Sequence, residues 1–534
     1  MTEPAPRLSP DMDDAPPLAF TDVDSAKRWA KSLPLLSVGQ AYEAFMGQMR
    51  ALGAAQLPPR ERATLTEVLR DPAMHLHTEL ARRFAGKPQP AGEREFEAAE
   101  QALALWQGMW EQYSHCLKPL LEGDTELAGV KAKLVQRGLA VGKQIVLVHG
   151  LARRVPPPSV WQELHAYYRI AEMLDCAVQA VSDDHAPQAV GLSCYSTWSH
   201  AVLLALADPW AMSVRQIEIA DRWLGGWARK VFPYAQQRET EGLVMVVDLD
   251  AGAGATLMVA APREGAASMR YCYPGKLATS VRGRLKRLAQ GAAPAELTLG
   301  HDVSTEQAVA LLSHLDAHWY QIRPPRESQR MSVEMCTGGL PGAYFRVGGR
   351  TFDRKDPLGR MSYQNAQHLA TLGALTDYDR NREEAERSLP WERWQGRYEW
   401  REASLARSAA SAHKWFLDQL VTLRDDERTR LGHVTRISLD ADGVLSANVR
   451  LWPGNPRAIA ARSLLSAFSE DPPMPLIELV ASPEEPASLL VPPRTFSPGR
   501  QLRSINSGPE RSFKLVKLLH RGADFERVAF EEND

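Results

Sequence analysis

The hydrophobic period of this chain changes once, near residue 241, and this change constrains the fold more than any other feature. From about Phe20 to Arg238, apolar residues recur at intervals of three and four, as on the buried face of a helix. The clearest stripe comprises Leu103, Trp106, Trp110, Tyr113 and Leu117. Beyond Glu241, apolar and polar residues alternate, which is typical of strands. The sequence therefore predicts an α+β multidomain protein with a mainly α-helical N-terminal half.

The chain has 534 residues, which is longer than a domain with a single hydrophobic core usually is, so several domains are expected. We predict a disordered tail at 1–18, an α-helical domain at 19–240, a small α/β unit at 241–322 and an antiparallel β-barrel at 323–530. A densely charged insertion near 355–393 is predicted to interrupt the barrel. The first residues are rich in Pro and Asp and contain no apolar segment typical of a secretory signal.

Charge and cysteine content narrow the class of protein. The 63 Lys and Arg residues nearly balance the 65 Asp and Glu residues, so there is no global electrostatic case for binding nucleic acid or a membrane surface. No run approaches the roughly 18 apolar residues that a membrane span needs. The five cysteines are scattered without Cys-x-x-Cys spacing, which argues against a zinc site and a disulfide framework. These features favour a cytoplasmic protein.

The C-terminal half contains many short alternating runs separated by Pro and Gly, which predict an all-β barrel or sandwich. The segment Asp440–Gly443 lies between two such runs and is predicted to form a hairpin turn. The glycine-rich segment 337–342 is predicted to join a strand at 331–336 to a strand at 343–347. Each of these turns would connect neighbouring antiparallel strands.

Two patterns were considered as signs of hydrolase chemistry. Ile145–Leu151 contains a His-Gly pair like the oxyanion-hole strand of α/β-hydrolases. The nearest match to a nucleophile elbow, Gly191–Tyr195, lacks the second glycine, and its flanks have a helical period. We therefore interpret residues 146–148 as the buried part of a helix or as a connecting segment.

Metal and phosphate motifs are also incomplete. His314 and His318 have the spacing of two metal ligands on a helix, but the Glu of His-Glu-x-x-His is missing. Packed or surface histidines are the favoured interpretation. The glycines at 338–349 fit no phosphate-loop spacing. The sequence predicts no catalytic residues, no metal site and no cofactor, and hence no enzyme.

A cluster of arginines at the start of the barrel is the best candidate for ligand binding. Arg323, Arg326 and Arg330 directly precede an alternating run. Each guanidinium is a planar fork of donors that suits a phosphate group or the O6/N7 edge of guanine. The same spacing also occurs elsewhere, for example at Arg393 and Arg397, so the spacing alone is a weak signal.

A barrel preceded by Arg-x-x-x-Arg resembles the PilZ family of bacterial cyclic-di-GMP receptors. The second signature of that family, Asp/Asn-x-Ser-x-x-Gly on an early strand, has its nearest match at 402–407, where Glu402 replaces the acid or amide, Ser404 is kept and Arg407 replaces the glycine. The helical half and the stretch 521–528 also resemble betaproteobacterial proteins with a PilZ-like C-terminus.

The resemblance implies roles for individual residues. Arg326 and Arg330, with Arg323 beside them, would contact guanine and phosphate of cyclic di-GMP. Glu402 and Ser404 would hydrogen-bond the other base or its phosphate. Arg407 would either add a favourable charge or fill the space that the family's glycine leaves for the ligand.

Two hypotheses for function follow. In the first, the protein is a cytoplasmic cyclic-di-GMP-binding signalling effector whose helical half meets an unknown protein partner, with no role in nucleic-acid binding. In the second, it is a ligand-free scaffold or adaptor with a degenerate PilZ-like barrel. The first hypothesis requires Arg326 and Arg330 to be exposed and directed at the strand that carries Glu402 and Ser404.

Overall fold

A computed structural model describes most of the chain. The described residues are 17–185, 191–238, 242–259, 265–322, 329–348, 389–399, 401–408, 410–411, 413–425, 428–464, 473–505 and 510–533. Residues 1–16 of the predicted tail, nearly all of the predicted charged insertion, and Arg323 and Arg326 lie outside them. The chain divides into two compact units, the first up to residue 87 and from 91 to 324, the second comprising 88–90 and 325–534.

The first unit is mainly helical, which confirms the predicted character of the N-terminal half. Its α-helices are α1 (Val23–Ser32), α2 (Val38–Ala54), α3 (Pro59–Val68), α4 (Arg70–Phe84), α5 (Glu93–Leu121), α6 (Lys131–Leu151), α7 (Pro158–Met173), α8 (Cys194–Leu206), α9 (Val214–Trp227), α10 (Gly275–Ala289) and α11 (Thr305–Tyr320). The central helix α6 is buried along most of its length and packs against α5, α7 and α8. The apolar run at 145–148 is therefore a buried helical segment.

A small antiparallel sheet completes this unit. Its strands are β1 (Pro233–Tyr234), β2 (Leu243–Asp248), β3 (Thr256–Val259) and β4 (Met269–Cys272), in the order β1-β4-β2-β3. Met245 and Val247 on β2 and Leu277 on α10 join the same hydrophobic core as the helices. The sheet and the helices are thus held together by one continuous apolar core.

Close packing of α6 gives a stability prediction at Gly138. A Cβ atom on Gly138 would overlap the ring of Tyr167, whose hydroxyl is fixed by Ser114 at 2.7 Å. Gly138→Ala is therefore expected to lower the free energy of unfolding by up to about 2 kcal/mol, because an overpacking cost of about 1–3 kcal/mol is offset by a helix-propensity gain of only about 1 kcal/mol. Urea denaturation followed by circular dichroism measures this change.

Gly283 provides the matched control. It lies on the exposed side of α10, and a Cβ there meets no atom within 4 Å. Gly283→Ala is expected to raise the free energy of unfolding by up to about 1 kcal/mol through propensity alone. A loss of stability at both positions, or at neither, would contradict the packing argument for Gly138.

The second unit contains two closed, six-stranded, antiparallel barrels. The first barrel is formed by β5 (Gln329–Cys336), β6 (Glu392–Glu399), β7 (Glu402–Ser408), β8 (Leu420–Arg424), β9 (Thr429–Leu439) and β10 (Val444–Leu451), closed in the order β10-β7-β6-β5-β8-β9. The second barrel is formed by β11 (Pro456–Ser463), β12 (Met474–Leu479), β13 (Ser488–Val491), β14 (Gln501–Ser504), β15 (Ser512–Arg521) and β16 (Glu526–Asn533), closed in the order β11-β12-β13-β16-β15-β14.

The sequence analysis predicted one barrel across this region, whereas the described strands form two. Each barrel has its own interior, with Trp394 and Val434 in the core of the first and Phe513 and Leu476 in the core of the second. The physical reason is size, since six strands enclose a space that side chains fill, and a single barrel of all these strands would leave a wide lumen.

The predicted strand at 343–347 is also wrong. Helix α12 spans Gly339–Arg346, and it begins at Gly338 and Gly339, whose φ angles are +127° and +60°. Ala343 and Tyr344 lie three and four residues after Leu340, so all three are on one face of the helix. They are buried together in one cluster. The glycines were read as a hairpin turn, but burial of this helical stripe decides the conformation. The predicted hairpin at Asp440–Gly443 is confirmed, since β9 pairs with β10.

Asp524 makes the stability of the second unit depend on pH. Burial raises the pKa of its carboxyl group to about 6, and one carboxylate oxygen accepts a 2.8 Å hydrogen bond from the Leu420 N–H. The folded state therefore holds this proton more tightly than the unfolded state, whose pKa is about 3.9. Its contribution to stability is complete below about pH 4 and is lost as pH rises through about 6.

Asp524→Asn keeps an acceptor oxygen and removes the titration. We expect this variant to be more stable than the unmodified protein at pH 7.5 by roughly 1–2 kcal/mol and to show a weaker pH dependence between pH 4 and 7. Urea denaturation at a series of pH values measures both effects. An unchanged pH dependence in the variant would contradict this assignment.

Among the described helices, none is both long enough and apolar enough to cross a lipid bilayer.

Candidate ligand-binding site

A row of five polar residues crosses the outer face of the first barrel. Strand register pairs Arg330 with Arg397, Arg397 with Ser404, Ser404 with Asn448, and Asn448 with Arg436. Directly paired residues on antiparallel strands point to the same face, with Cβ atoms about 4.5–5.5 Å apart. Arg330, Arg397 and Ser404 are exposed, while Ala403 and Leu405 on either side of Ser404 are buried. We call these five residues the arginine row.

At one end of the arginine row, Arg330 and Arg397 place two positive charges side by side. Arg330 and Arg397 are direct cross-strand neighbours, and like charges in this position repel each other. Within the part of the chain that the structure describes, neither side chain has an ion pair or a hydrogen bond. Two adjacent guanidinium groups that form no ion pair are suited to binding an anion.

The surface beside the arginine row consists mainly of small, polar side chains. The next row of cross-strand partners consists of Ser332, Gln395, Ala406, Ser446 and Ser438. Four of these five side chains are small, so the barrel face next to the guanidinium groups is open to a flat ligand. On the other side of the row, Glu399 is paired with Glu402, and Glu402 with Arg450.

The structure brings some of the sequence-predicted site residues together. Arg330 and Ser404 lie in one row, separated by Arg397, and Glu402 lies two positions from Ser404 on the same strand. Arg407 lies elsewhere, because its guanidinium forms an ion pair with the buried Glu392 and lies 5.6 Å from the centre of the Trp394 ring. Arg323 and Arg326 are outside the described residues, so their position stays a prediction.

The sequence analysis did not select Arg397, Arg436 or Asn448. Arg397 was noticed only as part of an Arg-x-x-x-Arg spacing that recurs through the chain. The available signal was that Arg397, Ser404 and Asn448 occupy outward positions on separate alternating runs. Only the strand register shows that these positions are neighbours.

A second candidate site is a cavity of about 310 Å³ inside the helical unit. It is bounded by residues of α4, α5, α6, α8 and α9, with Met74, Trp106 and Met109 on its apolar side. This volume is at the lower end of the range of about 300–1,000 Å³ that small-molecule sites usually have. The cavity is therefore within the size range of small-molecule sites.

Buried ion pairs form the polar side of this helical cavity. Asp183 accepts hydrogen bonds from Arg70 at 2.8 Å and lies 2.9 Å from Arg137, and the side chains of Asp183 and Arg137 are each only 4% exposed. Asp221 lies 3.2 Å from the Lys143 ammonium and 2.8 Å from His200 Nε2. Each carboxylate is thus held between two cationic or imidazole groups.

The titration behaviour of this cluster follows from burial and charge. Burial on its own would raise the pKa of Asp221, but Lys143 and His200 outweigh it and hold this pKa well below its usual range. Burial lowers the pKa of His200 although Asp221 opposes the shift. Groups with perturbed pKa values that line a cavity are typical of functional sites, and buried structural networks show the same behaviour.

The residues considered for hydrolase and metal chemistry have structural roles. The Ser193 hydroxyl caps α8 by accepting the N–H of Ser196, and His149 is buried within α6. His314 Nε2 lies 2.7 Å from the Ala207 carbonyl, and His318 Nδ1 lies 2.8 Å from the His314 carbonyl. These contacts fit packed histidines.

Comparison with known proteins gives a match for the helical unit. Residues 24–234 match the family described as "Cyclic-di-GMP receptor FimW, N-terminal domain". This segment includes α1 to α9 and the lining of the helical cavity, whereas both barrels lie outside it. No match was found among curated proteins or among solved structures. Residues 24–234 of this chain are therefore similar to the N-terminal domain of a family of cyclic-di-GMP receptors.

Proposed function

We propose that this chain is a signalling receptor that binds cyclic di-GMP on the outer face of the first barrel. The observation that carries the proposal is the cross-strand pair of Arg330 and Arg397, which lies beside Ser404 and forms no ion pair among the described residues. The family match of the helical unit supports the identity of the ligand.

The chemistry of cyclic di-GMP fits the arginine row. Its two phosphates are anionic, and each guanidinium can donate two parallel hydrogen bonds to a phosphate or to guanine O6 and N7. Ser404 and Asn448 add a hydroxyl and an amide at the next positions of the row. Arg323 and Arg326 remain proposed contacts from the segment before β5, and Glu402 is a proposed acceptor for guanine N–H groups.

The remaining features of the effector are part of the same proposal. The helical unit would meet a protein partner and transmit the ligand signal to it. We place the protein in the cytoplasm, where thiols stay reduced, because all five of its cysteines are free and buried.

Isothermal titration of the full-length protein tests this function. The protein would be titrated with cyclic di-GMP and with GTP as a control ligand, beside an Arg330→Ala/Arg397→Ala variant and a Lys143→Gln variant in the helical cavity. Saturable binding of cyclic di-GMP that is absent with GTP and lost only in the barrel variant supports the proposal.

Other outcomes of the titration would indicate a different binding site or a different function. Binding lost only in Lys143→Gln would move the ligand to the helical cavity. A flat titration of the intact protein would favour the second function, a ligand-free scaffold or adaptor.

A further inference from the structure

Three potential metal ligands converge in the second unit. Asp418 precedes β8, His433 lies on β9 of the first barrel, and His520 lies on β15 of the second barrel. One candidate ligand atom from each residue lies within 4.8 Å of the other two. The three residues are widely separated in the chain, so no spacing motif in the sequence indicates this cluster.

The distances within the cluster are close to those of a bound metal. A tetrahedral zinc ion with bonds of about 2.0–2.2 Å places neighbouring ligand atoms about 3.4 Å apart. His520 Nε2 lies 3.4 Å from Asp418 Oδ1, and His433 Nε2 lies 4.0 Å from the same oxygen. The ligand atoms of the two histidines lie within 4.8 Å of each other.

Polar atoms in the cluster lack partners. His520 Nε2 and His433 Nδ1 are buried, and neither has a hydrogen bond in the described structure. The His433 side chain is 7% exposed. A buried ring nitrogen without a partner is unfavourable, and a metal ion in the cluster would satisfy His520 Nε2. His433 would bind the ion through Nε2, so its Nδ1 would not be satisfied by the ion.

The surrounding structure holds the three side chains in place. The Asp418 N–H donates to the Val434 carbonyl at 2.8 Å, and the Ala523 N–H donates to the Asp418 carbonyl at 2.9 Å. Asp418 also has a φ of +57°, a left-handed conformation that a non-glycine residue adopts rarely. The ring of His433 stacks on Trp452 at 5.3 Å, and the ring of His520 stacks on Phe525 at 5.6 Å.

We propose that Asp418, His433 and His520 bind a divalent transition-metal ion, with Zn²⁺ as the best fit. Two imidazoles and one carboxylate form a nitrogen and oxygen donor set that suits zinc, and three protein ligands leave a fourth position for water. Because one histidine comes from each barrel, the bound ion would link the two barrels and stabilise the second unit.

Metal titration of the full-length protein without a histidine tag tests this site. After treatment with a chelator, the protein would be titrated with ZnCl₂ by calorimetry and with CoCl₂ by visible absorption, with MgCl₂ as a control. We expect one equivalent of Zn²⁺ to bind, a d–d absorption band with Co²⁺, a higher melting temperature with Zn²⁺, and no response to Mg²⁺.

Variants assign the binding to these residues. His433→Gln, His520→Gln and Asp418→Asn are each expected to weaken Zn²⁺ binding by more than about 100-fold, because even loss of an outer-shell contact weakens metal binding by up to about 100-fold. His301→Gln, at an exposed position of the first unit, is the matched control and should bind as the intact protein does.

Circular dichroism and the melting temperature without metal show whether each variant is folded. A folded variant that keeps Zn²⁺ affinity and the cobalt band would overturn the proposal. Failure of the intact protein to bind Zn²⁺ would also overturn it. If His433→Gln does not fold, the exposed Asp418→Asn variant decides the result alone.

Discussion

Replacing Arg397 with alanine is expected to weaken the binding of cyclic di-GMP by about 30- to 150-fold, which corresponds to about 2–3 kcal/mol. Arg397 lies at the centre of the proposed site, with Arg330 on one side and Ser404 on the other. A charge-assisted, forked contact to phosphate or guanine would be lost. Isothermal titration of the folded variant measures the change.

Two further variants separate a specific contact from a general charge effect. Arg397→Lys keeps the charge but loses the fork, so its affinity should lie between those of the intact protein and Arg397→Ala. Arg503→Ala removes an exposed arginine of the second barrel that pairs with Glu510, and it should bind normally. Equal weakening in Arg503→Ala and Arg397→Ala would contradict a site at the arginine row.

Replacing Asp183 with alanine is expected to lower the free energy of unfolding of the helical unit by about 3–5 kcal/mol. The Asp183 side chain accepts from Arg70 and lies 2.9 Å from Arg137, which is itself 4% exposed. Removing the carboxylate would leave the buried Arg137 with Glu67, at 3.2 Å, as its remaining carboxylate partner, and removing one member of a buried ion-pair network is strongly destabilising. Urea denaturation followed by tryptophan fluorescence measures the loss.

Asp302 is the matched control for this experiment. It also pairs with two arginines, Arg215 and Arg222, but its side chain is 46% exposed. Asp302→Ala should leave the denaturation midpoint nearly unchanged, because water and salt screen exposed ion pairs. Similar losses at Asp183 and Asp302 would show that burial is not the source of the effect.

Local patterns in the sequence predicted the individual elements well. The apolar stripe through Trp106, Trp110 and Tyr113 lies in α5, and these residues are buried in the helical core. The Ser-x-x-Gln spacing at Ser304 is typical of a helix start, and the Ser304 side chain caps α11 by accepting the N–H of Gln307. Such features depend on residues that are close in the chain, so their signals are readable without the fold.

Features that depend on distant partners were predicted less well. The glycines at 338 and 339 are compatible with a hairpin or with the start of a helix, and burial of Tyr344 selects the helix. The number of barrels depends on which strands pair to close each sheet into a barrel. The sequence contains no local signal for this pairing. Arg137 and Asp183 are far apart in the chain, so their buried ion pair was not predicted either.

The sequence by itself determined a helical half followed by a β half, and it placed Arg330 and Ser404 on strands of the same region. Hydrophobic period and turn chemistry act over a few residues, which is why these conclusions needed no structure. The tertiary structure decided that Arg397 lies between Arg330 and Ser404, that two barrels form, and that Asp418, His433 and His520 meet. Strand register and barrel closure set these distances, and both depend on packing between residues far apart in the chain.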